Sequence, residues 1–232
     1  MTPKPILLKM LDYLSIIVLG VATYLALFFA PRELVMGEVQ RVFYFHIGTA
    51  WTALLGFIFA AGLGIAYLVT KNAKWDIYEV AAVEISTIFF LITIVLGSIW
   101  ARPAWGTWWT WDERLTTAAI TELFYIAYFM LRNGIEDPDR RARFGAVYTL
   151  IGSISAPITF MAIRWAKSRT IHPVLIGAAS EGQEKMNMSP DMRIAFFFAL
   201  FAFTVIFVDL FWNRIRLGQL QDKVEQLKLK VM

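Results

Sequence analysis

The run VAAVEISTIFFLITIVLGSI, Val80–Ile99, contains one charged residue, and the stretch after it, WARPAWGTWWTWDER, Trp100–Arg114, carries five of the nine tryptophans. A helix rises about 1.5 Å per residue, so twenty apolar residues cover about 30 Å, the thickness of the hydrocarbon core of a bilayer. The first stretch therefore reads as a membrane-spanning helix, and the second as the loop into which it empties.

Working outward, five more apolar runs are found: Leu11–Ala30, Val42–Val69, Thr117–Leu131, Phe144–Ile163 and Ile194–Trp212, of which Thr117–Leu131 is the shortest. They are separated by Pro31-Arg32-Glu33, Lys71-Asn72-Ala73-Lys74, Arg102-Pro103, the polar stretch from Arg132 to Arg143 and the longer one from Arg164 to Arg193. Each of these would be costly in lipid. Composition agrees: 58% of the 232 residues are hydrophobic and 17% charged, against about 45–50% and about 25% in soluble domains. The expectation is an all-α polytopic membrane protein with six transmembrane helices. Residues 1–212 would form the transmembrane domain and 213–232 an amphipathic tail. Lys4 and Lys9 precede the first run as in a signal peptide, but Phe28-Phe29-Ala30 lacks a small-x-small cleavage pattern, so the run reads as a retained first helix.

Six spans put both termini on one side. Lys and Arg are more numerous there, which places the N and C termini in the cytoplasm. The same parity puts His46, the tryptophan loop and His172 on the opposite, extracytoplasmic face. The net charge of +4 is scattered over loops and ends, so nucleic-acid binding is not indicated. With no cysteine in the chain, thiolate metal sites and thioether attachment of haem are excluded.

The segment Trp105-Gly106-Thr107-Trp108-Trp109-Thr110-Trp111-Asp112-Glu113-Arg114 has two readings. Tryptophan collects at lipid headgroups, so the cluster suits an interfacial belt. It also holds more aromatic surface than one crossing needs, and suits a flat apolar ligand with acidic edges. Indole faces would stack on a macrocycle, Gly106 would let backbone approach, and Arg114 or Arg102 would meet a carboxylate. Arg32, Arg41, Arg164, Lys167 and Arg169 share that face. Asp112 fits a helix cap, or a group that orients an indole N–H or an arginine.

His46 and His172 are the chain's two histidines. His172 precedes Pro173, which favours extended backbone and a loop able to fold over a site. A pair of neutral imidazoles is a standard way to hold haem iron. Zinc would need further ligands, and neither His-Glu-x-x-His nor cysteine supplies them.

Trp105-Gly106-x-x-Trp109-x-Trp111-Asp112, followed by Arg114-Leu115-Thr116, resembles the tryptophan-rich signature of the haem-handling membrane proteins of cytochrome c maturation. The six-span layout, with one histidine on each side of the loop, is similar to that of the haem exporter protein C (CcmC) family. The resemblance implies a site facing the periplasm of a bacterial inner membrane. There haem b would be bound transiently with His46 and His172 as axial ligands, on a platform formed by the loop from Trp105 to Asp112. It further implies delivery to a membrane-anchored periplasmic haem chaperone, and association with the ATPase and permease subunits of an ABC transporter and with a small single-span membrane protein.

Two other classes remain open. A secondary transporter would use ionisable groups within the spans, for which Glu84, Glu122 and Asp209 are the candidates, or a helix kinked at Pro157. A structural subunit would use the tryptophans only as a belt. An enzyme is not expected, because no nucleophile or acid–base pair stands out. Beyond Trp212, Leu217, Leu220, Val224, Leu227 and Val231 alternate at three- and four-residue spacing and form one apolar stripe. The stripe suits a membrane surface, a partner or an oligomerising coil.

Overall fold

A computed structural model describes residues 3–33, 36–166, 171–172 and 188–231. Lys167, Arg169 and Pro173 lie outside the described residues. Among the described residues seven helical segments follow one another: α1 (Ile6–Tyr24, continued as a π-helical turn Leu25–Phe29), α2 (Gln40–Thr70), α3 (Ala73–Trp105), α4 (Glu113–Asn133), α5 (Pro138–Ser153), α6 (Ser155–Ala166) and α7 (Pro190–Val231). There is no β-strand among the described residues beyond a single bridge between Glu33 and Gly37. Ile6–Phe29, Gln40–Thr70, Ala73–Trp105, Pro138–Ala162 and Pro190–Lys228 are long and apolar enough to cross a membrane. The chain is thus an all-α polytopic membrane protein.

The expected fourth span lies within α4. Its 21 residues cover about 31 Å, but Glu113, Arg114, Glu122 and Arg132 make it more polar than the other five. The expected fifth span is two helices that meet at Ile154. Pro157 has no N–H for the carbonyl of Ser153, so the helical ladder cannot run through. The hydroxyls of Ser153 and Ser155 donate to the carbonyls of Leu150 and Gly152, at 2.8 and 2.6 Å. Two backbone acceptors beside the break thereby gain side-chain donors.

Other boundaries follow local chemistry. Asn72, Asp112 and Asp137 each accept a backbone N–H at the start of α3, α4 and α5, and Pro138 occupies the first turn of α5, where its missing donor costs nothing. α3 does not stop at Arg102-Pro103 as the sequence suggests. It carries Pro103 in its last turn and ends at Gly106, whose φ of 75° is left-handed. Side chains other than glycine rarely adopt that conformation.

α2 and α3 form the central hairpin. Ala53, Ala60, Ala81 and Ala82 are fully buried, as expected where small residues let membrane helices approach. The Phe57 ring stacks on Tyr125 of α4 at 3.8 Å and an interplanar angle of 4°. Phe203 and Phe207 bring α7 onto the same core. α1 packs on α7 through Val18, Ala22 and Ala202. Near the start of α3, Glu79 accepts hydrogen bonds from the Tyr128 and Thr149 hydroxyls. Beside it Arg132 pairs with Asp76 at 2.6 Å and donates to the Arg141 carbonyl at 3.0 Å. This buried polar cluster ties α3, α4 and α5 together at the end of the bundle away from the tryptophan loop.

Candidate functional site

At the other end a pocket opens between α2, α3, the loop after α3, the first turns of α4, Thr159 of α6 and His172. Of the residues singled out in the sequence, His46, His172, Trp105, Trp108, Trp109 and Arg114 line it. Gly106, Trp111 and Asp112 do not. Trp111 is 75% exposed, with its ring edge-on to Trp109 at 5.6 Å. An added Cβ at Gly106 would meet nothing within 4 Å, so the glycine is explained by its positive φ and not by crowding.

His46 is the seventh residue of α2 and half-buried. Its Nδ1 lies 2.9 Å from the backbone carbonyl oxygen of Thr93 on α3, so this nitrogen carries the proton and donates. The Thr93 hydroxyl donates to Thr49 Oγ1 at 2.8 Å, a cross-link that fixes the two helices at the level of the histidine. The ring itself occupies the space beside Gly97. An added Cβ there would stand 2.8 Å from His46 Cε1.

His172 is held differently. Its Nδ1 lies 3.2 Å from Asp112 Oδ2, while Oδ1 of the same carboxylate accepts the Leu115 N–H at 2.8 Å and caps α4. The cap anticipated for Asp112 is present, and the group it orients includes a histidine. The His172 ring packs edge-on against Trp105 at 4.9 Å, and Trp105 against Trp100 at 5.2 Å. Burial pushes the His172 imidazole below its ordinary value, and the Asp112 hydrogen bond offsets part of that fall. The ring is therefore neutral near pH 7.

In both histidines Nδ1 faces an acceptor, so in the neutral ring Nε2 is the nitrogen that carries the lone pair. Among the described residues no three of His, Cys, Asp or Glu come together as a metal-binding group. A two-imidazole set with indole walls suits an ion that brings its own equatorial ligands, as in a macrocycle, and suits zinc poorly. Among the described residues Arg114 is the one arginine in the lining. Arg41 is taken up by Glu38 and by carbonyls at the end of α1, and Arg102 donates to the Gly106 carbonyl. The buried Trp109 Nε1, also in the lining, has no acceptor among the described residues. With Arg114 it supplies donors for an anionic edge.

Sequence reasoning missed Thr49, Thr93 and Gly97, and it counted Trp100 in the tryptophan cluster without placing it in the site. Of the three missed, only Gly97 carried a signal, since glycine well inside an apolar helix is unfavourable without a packing reason. The groups considered for ion coupling are placed as follows. Glu84 pairs with Arg214 at 2.7 Å and Asp209 accepts from Asn213 at 3.0 Å. Glu122 is 5% exposed, with no hydrogen-bond partner for either oxygen among the described residues.

The fold and this pocket define a class: multi-pass membrane proteins with a paired-histidine, tryptophan-walled pocket at one end of the bundle. Within that class, the family described as heme exporter protein C matches residues 3–230, and the chain belongs to it. It is 30% identical to the heme exporter protein C of Bradyrhizobium diazoefficiens, over 93% of this chain and 80% of that protein. It is 26% identical to that of Haemophilus influenzae, over 95% and 87%, and 28% identical to that of Escherichia coli K12, over 87% and 79%.

Proposed function

We propose that this protein handles haem for cytochrome c biogenesis, holding it in the pocket with His46 and His172 as axial ligands and releasing it to an acceptor. The observation that carries this reading is the matched state of the two histidines. Each has Nδ1 engaged, by the Thr93 carbonyl or the Asp112 carboxylate, and both line one pocket. Family membership supports the cargo, since the relatives are named as heme exporters.

Haem contributes an iron that is already held in four equatorial positions, so the protein need supply only axial nitrogens. Trp105, Trp108 and Trp109 would pack on the macrocycle. Arg114 and the Trp109 N–H would meet a propionate, and Asp112 would keep His172 in the tautomer that presents Nε2. In this reading α4 is a sixth span, both termini are cytoplasmic and the pocket faces the periplasm of a bacterial inner membrane. The acceptor is a membrane-anchored haem chaperone, and the ABC transporter subunits and the small single-span protein are further partners. Residues 1–212 then form the haem-handling domain.

The test is spectroscopic. The chain purified in mild detergent and supplied with haem should show a Soret band of a six-coordinate, bis-histidine species. Alanine at His46 or at His172 should abolish six-coordination, and loss at both should remove the band. A band indifferent to both histidines would overturn the assignment.

A further inference from the structure

α7 continues without a break for 42 residues, Pro190–Val231, a length of about 63 Å. The apolar run Ile194–Trp212 accounts for about 29 Å of that, so a comparable length of helix extends past the span. Its base is fixed to the bundle. Arg214 pairs with Glu84 at 2.7 Å, and Gly218 packs so closely on α3 that an added Cβ would lie 2.7 Å from Ile77 Cγ2. A helix fixed at its base and unbroken beyond it projects away from the bilayer and does not lie down on it.

The projecting part carries an apolar stripe. Leu217, Val224 and Leu227 are exposed, and together with Leu220 and Val231 they keep the three- and four-residue alternation of a coiled-coil seam. Leu217, Val224 and Val231 then take the a positions, and Leu220 and Leu227 the d positions. The flanking e and g positions are Arg216, Gln221, Lys223, Lys228 and Lys230, basic or neutral throughout. Both acids of this segment, Asp222 and Glu225, fall on the far side of the helix. There Gln226 donates to Asp222 at 2.9 Å.

This charge pattern selects the occupant. In a parallel pair of copies Lys223 would face Lys228 across the seam, and in an antiparallel pair lysine again faces lysine. We infer that the projecting end of α7 is a docking arm for a partner protein's amphipathic helix, with leucine or isoleucine in its own seam and glutamate or aspartate on its flanks. The seam supplies the burial, and the lysines supply the choice of partner. This inference goes beyond the haem reading and does not depend on it.

The test uses the full chain in nanodiscs of zwitterionic lipid and two labelled synthetic helices of three heptads. Both carry Val at a and Leu at d, one with Glu at every e and g position and the other with Lys. Fluorescence anisotropy should show the Glu-flanked helix binding at least tenfold more tightly. The exposed-site variant Val224→Asp/Leu227→Asp should abolish binding, and Lys223→Glu/Lys228→Glu should reverse the preference. Equal binding of the two helices, or binding indifferent to the seam variant, would overturn the proposal. So would a tail that, as a peptide of residues 213–232 and within the full chain, binds anionic vesicles in preference to the Glu-flanked helix.

Discussion

The carboxylate of Asp112 serves two structures at once: Oδ2 lies 3.2 Å from His172 Nδ1 while Oδ1 caps α4. The loop that carries the tryptophans is thus tied, through one side chain, to the histidine contributed from a distant part of the chain. Asparagine can still cap a helix through its side-chain oxygen, but it cannot act as a charged acceptor. Asp112→Asn should therefore lower haem affinity by about 10–100-fold, the usual cost of losing the group that orients a metal ligand, with little change in melting temperature. Asp112→Ala should lower both, the stability by about 1 kcal/mol for the lost cap. Haem titration followed at the Soret band, alongside thermal melting by circular dichroism, separates the two effects.

Gly97 admits the His46 ring, and an added methyl would stand 2.8 Å from Cε1. Alanine is the better helix former by about 1 kcal/mol, so Gly97→Ala should leave the apoprotein as stable as before, or more so. It should displace His46 from the Thr93 carbonyl and convert a six-coordinate spectrum to a five-coordinate one. An unchanged axial-ligand spectrum in this variant would detach Gly97 from the site.

The pH dependence follows from His172. Burial sets its imidazole below the ordinary 6.5, and only the neutral ring can ligate iron. Haem retention should therefore be flat from pH 8 to about pH 6.5 and decline only under more acid conditions. The same sign applies to stability. The unfolded chain takes up the proton first, so acidification below 6.5 favours unfolding until the folded form is protonated as well. Soret amplitude against pH, measured between 8 and 4, checks this. A midpoint above the ordinary histidine value would contradict the burial argument.

Much of the fold was legible because a bilayer demands long apolar runs and punishes charge between them, and the breaks at Lys71-Asn72 and at Arg132 fall where charged and capping residues sit. α4 was the hardest to read, because Glu122 and Arg132 are buried inside the bundle, and composition does not reveal the Asp76 partner that Arg132 finds there. The break at Ile154 was only hinted at by Pro157. The convergence of His46, the loop and His172 could be expected from span parity. The groups that hold the histidines could not. A backbone carbonyl such as that of Thr93 has no side-chain signature, and Asp112 lies 60 residues from His172.

Arg132 provides a control at the far end of the bundle. It pairs with Asp76 at 2.6 Å, beside the Glu79 carboxylate that Tyr128 and Thr149 bind. Arg132→Met leaves the buried Glu79 and the half-buried Asp76 without their cation, and losing one partner of a buried pair costs about 3–5 kcal/mol. The variant should melt at a markedly lower temperature, whereas the haem spectrum of the fraction that remains folded should keep its bis-histidine form. A shifted spectrum would mean that the two ends of the bundle are coupled.

Trp109 and Trp111 are neighbours in the signature but not in the site. Trp109 lines the pocket with an unpartnered buried N–H, and Trp111 stands 75% exposed. Trp109→Phe keeps an aromatic face and removes only the donor, so it should weaken haem retention several-fold while sparing the fold. Protoporphyrin esterified at its propionates should bind the variant and the parent alike, because the missing donor then has no carboxylate to meet. Trp111→Ala should retain haem at the parent level, since its ring touches Trp109 only edge-on. Its exposed face would then matter only when a second protein covers it, so transfer to an acceptor should slow while retention holds. If Trp111→Ala loses haem as readily as Trp109→Phe, the exposed ring closes over the bound macrocycle.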